Sequence, residues 1–266
     1  MNVKAIASSF LVFCAGILLA SAEPKQREWN IDGVTRQALV SIPDSIPTNG
    51  CPLIFAFHGH GGSAANAARM FHYHEIWPEA AVVYMQGLPT PGLLTDPEGK
   101  RNGWDSKSGD PANRDLKFFD AVLSSLRKEC RIDPKRIYCT GHSNGGGFTY
   151  FLWAERGDVF AAIAPSAAVN AQLLGKLPPL PVMHIAGKSD DLVKYEWQEK
   201  MMRLDRQINK CSETGMPWVT SGELNGTIYA SEIGAPFIAL IHPGGHIYPQ
   251  GAPELIVRFF KEHARM

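Results

Sequence analysis

Short apolar runs alternate along the chain with segments of helical periodicity. Residues 52–57 and 81–85 are continuous apolar runs, which are typical of strands buried on both faces of a sheet. Residues 115–127 carry apolar side chains at helical spacing, and Asn113 or Asp115 could cap that helix. The same patterns predict further strands at residues 38–42, 136–140, 160–164, 181–186 and 237–241, and further helices at residues 145–155 and 255–264. This alternation predicts an α/β fold in a single domain, with a mainly parallel central sheet and helices on both faces.

Composition and charge narrow the possible partners. The chain has 266 residues, of which 45% are hydrophobic, and it carries 26 basic and 26 acidic side chains. Such a length suits one α/β domain with a sizeable core. Balanced charge gives no electrostatic attraction to nucleic acid or to an anionic membrane. We therefore expect a neutral or weakly charged substrate and no nucleic-acid partner. We also expect a monomer.

The first 22 residues have the pattern of a secretory signal peptide. Lys4 precedes an apolar stretch at residues 5–20, and Ala20-Ser21-Ala22 supplies small residues at the recognition positions for cleavage. An uncleaved anchor helix is the alternative, but the stretch is short for a span and no basic stop follows it. The pattern predicts a domain of residues 23–266 that is secreted or periplasmic and is free of the membrane after cleavage.

Four cysteines remain after this cleavage: Cys51, Cys130, Cys139 and Cys211. An even number in an oxidising compartment predicts at least one disulfide bond, although four cysteines allow three pairings. Cys139 lies within a predicted strand, so we expect it to be a buried free thiol.

A nucleophile motif follows the predicted strand at residues 136–140. Gly141-His142-Ser143-Asn144-Gly145 matches G-x-S-x-G and opens a predicted helix. Glycines on both flanks permit a very tight turn, and the helix N-terminus favours negative charge beside the hydroxyl. Ser143 is therefore the predicted nucleophile of a serine hydrolase.

A serine nucleophile needs a base and an orienting acid, and both are expected on loops after later strands. Residues 181–186 lead into Asp190 and Asp191, and residues 237–241 lead into His242 and His246. His246 is the better base, because His242 belongs to the end of the strand. From the residues alone, either Asp190 or Asp191 could be the acid.

Acyl transfer also needs donors for the developing oxyanion. His58-Gly59-His60-Gly61-Gly62 follows the predicted strand at residues 52–57, so the backbone N–H groups of His60 and Asn144 are the predicted donors. His-x-His occurs at residues 58–60 and 72–74, but no Cys, Asp or Glu cluster accompanies it. We predict neither a metal site nor a cofactor. Residues 71–74 are better explained as a helix that packs on the sheet.

The chain resembles the carbohydrate esterase family one group, which includes feruloyl esterases, acetyl xylan esterases and polyhydroxybutyrate depolymerase-like esterases. The matching pieces are residues 52–63, 83–84, 87–89, 103–104, 115–119, 132–138, 141–146, 187–190 with Val193 and Tyr195, and 244–246 with Pro249. The resemblance implies an α/β-hydrolase fold with Ser143 as nucleophile, His246 as base and Asp190, in preference to Asp191, as acid. Tyr248 stands where the family often has tryptophan, which bears on the pocket beside the base.

These features lead to an expected function. Secretion, neutral charge and the resemblance favour hydrolysis of feruloyl or acetyl esters on plant cell-wall polysaccharide, with short polyhydroxyalkanoates as the alternative. A non-catalytic binding domain and a secreted serine peptidase are the alternatives of other classes. Trp104 could stack on a phenolic or sugar ring, or it could pack beneath its loop. Trp104 and Tyr248 are the predicted substrate-binding residues.

Overall fold

The fold is built around a ten-stranded sheet. This computed structural model describes residues 23–92 and 94–265 of the chain. The predicted signal peptide lies outside these residues. The strands are β1 (Lys25–Ile31), β2 (Val34–Ser41), β3 (Cys51–Phe57), β4 (Ala81–Met85), β7 (Ile132–His142), β8 (Ala162–Ser166), β9 (Val182–Gly187), β10 (Met216–Ser221), β11 (Leu224–Tyr229) and β12 (Phe237–His242). A separate two-stranded ladder joins β5 (Leu88–Pro89) and β6 (Asn102–Gly103).

The strand order is β1-β2-β4-β3-β7-β8-β9-β12-β11-β10. From β4 to β12 in this order, each strand pairs in parallel with the next. The strands β1 and β2 at one edge and β11 and β10 at the other are joined to this parallel block, and to each other, by antiparallel pairing. Because the central strands are parallel, their carboxyl ends meet at one edge of the sheet. This edge receives the loops after β3, β7, β9 and β12.

The strand β3 explains why the central runs are apolar without alternation. Leu53, Phe55 and Phe57 pack into one hydrophobic cluster, while Ile54 and Ala56 pack into another on the opposite face. Successive side chains of a strand point to opposite faces, so a strand with helices on both sides must be apolar throughout.

Helices cover the two faces of the sheet. They are α1 (Ala64–Phe71), α2 (Tyr73–Ile76), α3 (Arg114–Glu129), α4 (Asn144–Arg156), α5 (Tyr195–Ile208) and α6 (Ala252–Lys261), with a short 3-10 helix at Ala171–Lys176. Buried residues of α3, α4 and α5 join one cluster, and those of α1, α2 and α6 join the other. Asn113 caps α3, since its side chain accepts hydrogen bonds from the N–H groups of Asp115 and Leu116.

The predicted fold class, with a mainly parallel sheet covered on both faces, is confirmed, and several elements differ in extent or were missed. The strands β1, β10 and β11 and the helices α1 and α5 were not predicted. The helix expected at residues 71–74 is interrupted, because His72 adopts a left-handed φ of 34° between α1 and α2. The strand expected at 160–164 lies two residues later, and the last helix begins earlier than expected, with a proline in its first turn.

Two further expectations concern the cysteines and the membrane. Cys51, Cys130, Cys139 and Cys211 are all free thiols in the structure, so the predicted disulfide is not confirmed; Cys139 is buried, as expected. Within the described part of the chain, no helix combines the length and apolarity needed to cross a bilayer.

Candidate active site

Ser143 occupies a strained turn between β7 and α4. Its φ and ψ are 57° and −120°, a conformation that residues other than glycine seldom adopt. Its N–H donates to the carbonyl of Ser166, 2.8 Å away. A methyl group on Gly141 would lie 2.4 Å from the carbonyl oxygen of Gly145, and one on Gly145 would lie 2.3 Å from that of Phe57. The glycines of the motif are therefore required by the close approach of three backbone segments.

The loops after β9 and β12 bring two side chains to this turn. His246 Nε2 lies 2.8 Å from Ser143 Oγ, and His246 Nδ1 lies 2.9 Å from Asp190 Oδ2. The three residues thus form one hydrogen-bonded line. With a proton on Nδ1, the ring donates to the carboxylate and offers the lone pair of Nε2 to the serine hydroxyl. This is the geometry that a general base requires.

Hydrogen bonds to both carboxylate oxygens hold Asp190 in place. Oδ1 accepts from the N–H groups of Leu192 and Val193 at 3.1 and 2.9 Å. Oδ2 accepts from Gln198 Nε2 at 3.0 Å in addition to His246. The Asp190 side chain is fully buried, whereas Asp191 is exposed. The structure therefore places Asp190, and not Asp191, in contact with His246.

The loop after β3 lies against the nucleophile. A methyl group on Gly59 would be 3.5 Å from Ser143 Cβ. His58 fixes this loop, since its Nδ1 lies 2.8 Å from the carbonyl oxygen of Gly59 and its Nε2 accepts from the N–H of Gly87 at 3.0 Å. Burial is the main cause that lowers the pKa of His58, in agreement with a neutral ring that donates through Nδ1.

Asn144 and His60 carry the two backbone N–H groups that are predicted to bind the oxyanion. Asn144 is the first residue of α4, so its N–H has no acceptor within the helix. Its side chain is bound to the backbone of Trp104, accepting from N–H at 2.7 Å and donating to the carbonyl at 3.2 Å. His60 Nε2 lies 3.3 Å from Asp96 Oδ2, while His60 Nδ1 is buried without a hydrogen-bond partner. The roles of the two backbone N–H groups as oxyanion donors stay predictions.

Trp104 is a core residue. It is 1% exposed, its Nε1–H donates to the carbonyl of His58 at 2.9 Å, and its ring stacks on Phe148 and meets the edge of Phe57. A side chain enclosed in this way offers no face to a ligand. The structure therefore corrects the expectation that Trp104 stacks on substrate, and the alternative, packing beneath its loop, describes it.

Tyr248 and His142 lie beside the base. The Tyr248 hydroxyl is 2.7 Å from that of Tyr73, and its half-buried ring lies edge-on to His142. The ring centroids of His142 and His246 are 5.1 Å apart. Burial, followed by the neighbouring His246 and His242, lowers the pKa of His142 to about 3. His142 therefore stays neutral and adds no positive charge beside the base.

An open groove of about 470 Å³ borders this site and is lined by residues of the β3–α1 segment together with His142. Arg69 and Met70 of α1 are among the lining residues. Within residues 23–92 and 94–265, no group of three or more His, Cys, Asp or Glu side chains could hold a metal ion.

Comparisons with known proteins agree with this architecture. The model of the prolyl oligopeptidase family matches residues 104–211, which include Ser143 and Asp190 but make up less than half of the chain. The chain is 26% identical over 239 residues to a probable feruloyl esterase C of Aspergillus clavatus, a match that covers 85% of this chain and 83% of that protein. It is 25% identical over 201 residues to a bifunctional acetylxylan esterase/xylanase of Neocallimastix patriciarum, covering 74% of this chain but only 28% of that longer protein.

A solved structure of a ferulic acid esterase superposes with a TM-score of 0.63 at 14% identity, covering 90% of this chain and 97% of that one. At this identity the likeness shows the fold alone. Together the comparisons confirm that the chain has the α/β-hydrolase fold and resembles the feruloyl and acetylxylan esterases. These relatives are named as carboxylic ester hydrolases, the class of enzyme that the sequence predicts for this chain.

Proposed function

We propose that the chain is a serine carboxylesterase in which Ser143 is the nucleophile, His246 the general base and Asp190 the orienting acid. One observation carries this proposal: the hydrogen-bonded line from Asp190 through His246 to Ser143 ends at a strained turn between a strand and a helix. Structural residues have no need for such an arrangement, whereas acyl transfer requires it.

The reaction has two steps of acyl transfer. His246 Nε2 takes the Ser143 proton as Oγ attacks the ester carbonyl carbon, and Asp190 stabilises the resulting imidazolium. The carbon–oxygen bond to the alcohol then breaks, and the alcohol leaves with the proton from His246. Water attacks the acyl-enzyme in the same way, and the acid is released as Ser143 regains its proton. The backbone N–H groups of Asn144 and His60 donate to the oxyanion in both steps.

The proposed substrates are feruloyl or acetyl esters of plant cell-wall polysaccharide. The resemblance to feruloyl and acetylxylan esterases supports this class, and the balanced charge suits a neutral substrate. Short polyhydroxyalkanoates are the alternative. We further propose that residues 1–22 are a secretory signal peptide and that residues 23–266 act outside the cytoplasm.

A serine peptidase is the second candidate, because the prolyl oligopeptidase family model matches residues 104–211. Both activities use the same three residues, so the site alone does not separate them. A non-catalytic binding domain would have no use for the intact line of Asp190, His246 and Ser143.

A panel of substrates tests the proposal. Purified protein is assayed against methyl ferulate, acetylated xylan, nitrophenyl acetate, a hydroxybutyrate trimer and a prolyl peptide nitroanilide. We expect turnover of one or more esters that is abolished by Ser143→Ala, with circular dichroism showing that the variant is folded. Turnover of the peptide alone would favour the peptidase, and unchanged ester turnover by Ser143→Ala would refute the nucleophile.

A further inference from the structure

A buried line of polar side chains continues into the protein from Asp190 Oδ2, the same oxygen that contacts His246. It consists of Gln198 and Asp205 of α5, His184 of β9 and Tyr150 of α4. All four side chains are completely buried. Buried polar groups are costly unless each finds a partner, so a connected set of four next to a reacting centre needs an explanation.

The line is continuous. Gln198 Nε2 lies 3.0 Å from Asp190 Oδ2, and Gln198 Oε1 lies 3.2 Å from His184 Nε2. His184 Nδ1 lies 2.8 Å from the hydroxyl oxygen of Tyr150, which in turn lies 2.6 Å from Asp205 Oδ2. Each of these separations is a hydrogen bond.

The orientation of the Gln198 amide follows from its neighbours. Its Nε2 faces two oxygens that can only accept, Asp190 Oδ2 and the carbonyl of Val193 at 2.6 Å. The reverse orientation would set an oxygen against both of them. Therefore Oε1 points at His184 and accepts from it, which requires a proton on His184 Nε2.

The remaining protons follow by elimination. Burial lowers the pKa of His184 to about 4, so the ring is neutral near pH 7 and its Nδ1 carries no proton. This Nδ1 accepts the single proton of the Tyr150 hydroxyl, and Asp205 must then donate to the Tyr150 oxygen. Burial raises the pKa of Asp205 to about 8, and Asp205 Oδ1 has no partner, both in agreement with a protonated carboxyl group.

We propose that Gln198 is a positioning residue for the acid Asp190, and that His184, Tyr150 and Asp205 hold its amide in the donating orientation. Every donor in the line points towards Asp190, so each hydrogen bond polarises the next and the carboxylate stands at its end. The inference rests on the proposed function, in which Asp190 orients His246.

Loss of Gln198 should impair turnover and leave substrate binding unchanged. The carboxylate of Asp190 would keep the two N–H donors on Oδ1, but His246 would be the one remaining partner of Oδ2. The carboxylate could then rotate away from the geometry that the imidazole needs. Because the lost hydrogen bond is to a charged group, we expect kcat to fall by about ten- to hundredfold. Because Gln198 is buried, KM should change by less than about twofold.

The experiment compares Gln198→Met with a matched control, Asn209→Leu. Methionine has a similar volume to glutamine and no donor. Asn209 is an equally buried amide at the end of the same helix, but it bonds to the backbone of Leu180 and not to Asp190. We expect both variants to lower the melting temperature. Only Gln198→Met should lower kcat on nitrophenyl acetate, with KM unchanged.

A double-mutant cycle with Asp190→Asn separates positioning from general destabilisation. If Gln198 acts through Asp190, Gln198→Met should cost little further kcat once Asp190 is replaced. The same loss in both backgrounds, or full kcat in Gln198→Met, would overturn the inference while the esterase proposal stands. Absence of Ser143-dependent turnover in the wild type would instead overturn the proposed function and, with it, this inference.

Tyr150→Phe provides the second variant in case Gln198→Met does not fold. It removes one hydroxyl group from the middle of the line and leaves the Gln198 amide in place. We expect kcat to fall by about two- to tenfold at constant KM, since His184 Nδ1 loses its donor. An unchanged kcat in folded Tyr150→Phe would show that the buried line does not act on Asp190.

Discussion

Asp190 Oδ2 and His246 Nδ1 are 2.9 Å apart, across loops that follow two neighbouring parallel strands. Asp191, the next residue in the chain, is exposed to solvent. Two adjacent carboxylates therefore have different surroundings, and their substitutions should have very different effects on catalysis.

We predict that Asp190→Asn lowers turnover of a soluble ester by a factor of about a hundred or more, since the amide leaves His246 with the wrong tautomer. Asp191→Asn should stay within about tenfold, because a surface or capping role affects stability by about 1 kcal/mol and not the chemistry. The measurement is kcat for both variants, with circular dichroism as the check on folding. A nearly normal Asp190→Asn beside an inactive Asp191→Asn would contradict the assignment.

Two glycines of α4 provide a matched test of the tight turn. A methyl group on Gly145 would lie 2.3 Å from the carbonyl oxygen of Phe57, whereas one on Gly147 would meet nothing within 4 Å. We expect Gly145→Ala to lose most activity, because β3 and α4 must move apart at Ser143. Gly147→Ala should keep its activity and gain up to about 1 kcal/mol in the free energy of unfolding. Comparable activity of the two variants would show that the turn tolerates the displacement.

The protonation of Asp205 predicts a pH dependence of stability. Its pKa is raised by burial to about 8 in the folded protein, so the folded state holds a proton that the unfolded state releases near pH 4. Stability associated with this group is present at low pH and is lost as pH rises towards 8. The slope approaches about 1.4 kcal/mol per pH unit.

Asp205→Asn removes this titration, because an amide can donate to Tyr150 at any pH. We expect the free energy of unfolding of the variant to rise relative to the wild type between pH 5 and about pH 8. Urea denaturation at several pH values measures the difference. A difference that does not change with pH would indicate that Asp205 is ionised in the folded protein.

The burial of Trp104 predicts the effect of its replacement. Trp104→Phe removes the hydrogen bond to the carbonyl of His58 and part of the packing on Phe148, so we expect a loss of about 1–3 kcal/mol in the free energy of unfolding. KM for methyl ferulate and for nitrophenyl acetate should change by the same factor. A loss of affinity confined to the aromatic ester would support direct stacking on the substrate.

Local sequence patterns determined the fold class and most of the central strands. A strand that is covered on both faces must be apolar throughout, and residues 52–57 are all apolar and all buried. The tight turn around Ser143 needs glycine, so the motif is also visible in the chain. The strands β1 and β10 were missed because they lie at the sheet edges and are largely exposed, without a continuous apolar run.

The residues alone left both aspartates open as the acid, the resemblance favoured Asp190, and the tertiary structure shows the contact between Asp190 and His246. Asp190 and His246 are 56 positions apart, and His246 and Ser143 are 103 apart, so their contacts depend on the order of strands in the sheet. Gln198 belongs to no motif, and its role is visible only where α5 packs beside β9. Trp104 could be a surface or a core residue in the sequence, because burial depends on which helices cover its loop. Sequence periodicity reports each residue's local environment, whereas distances between remote residues are set by packing.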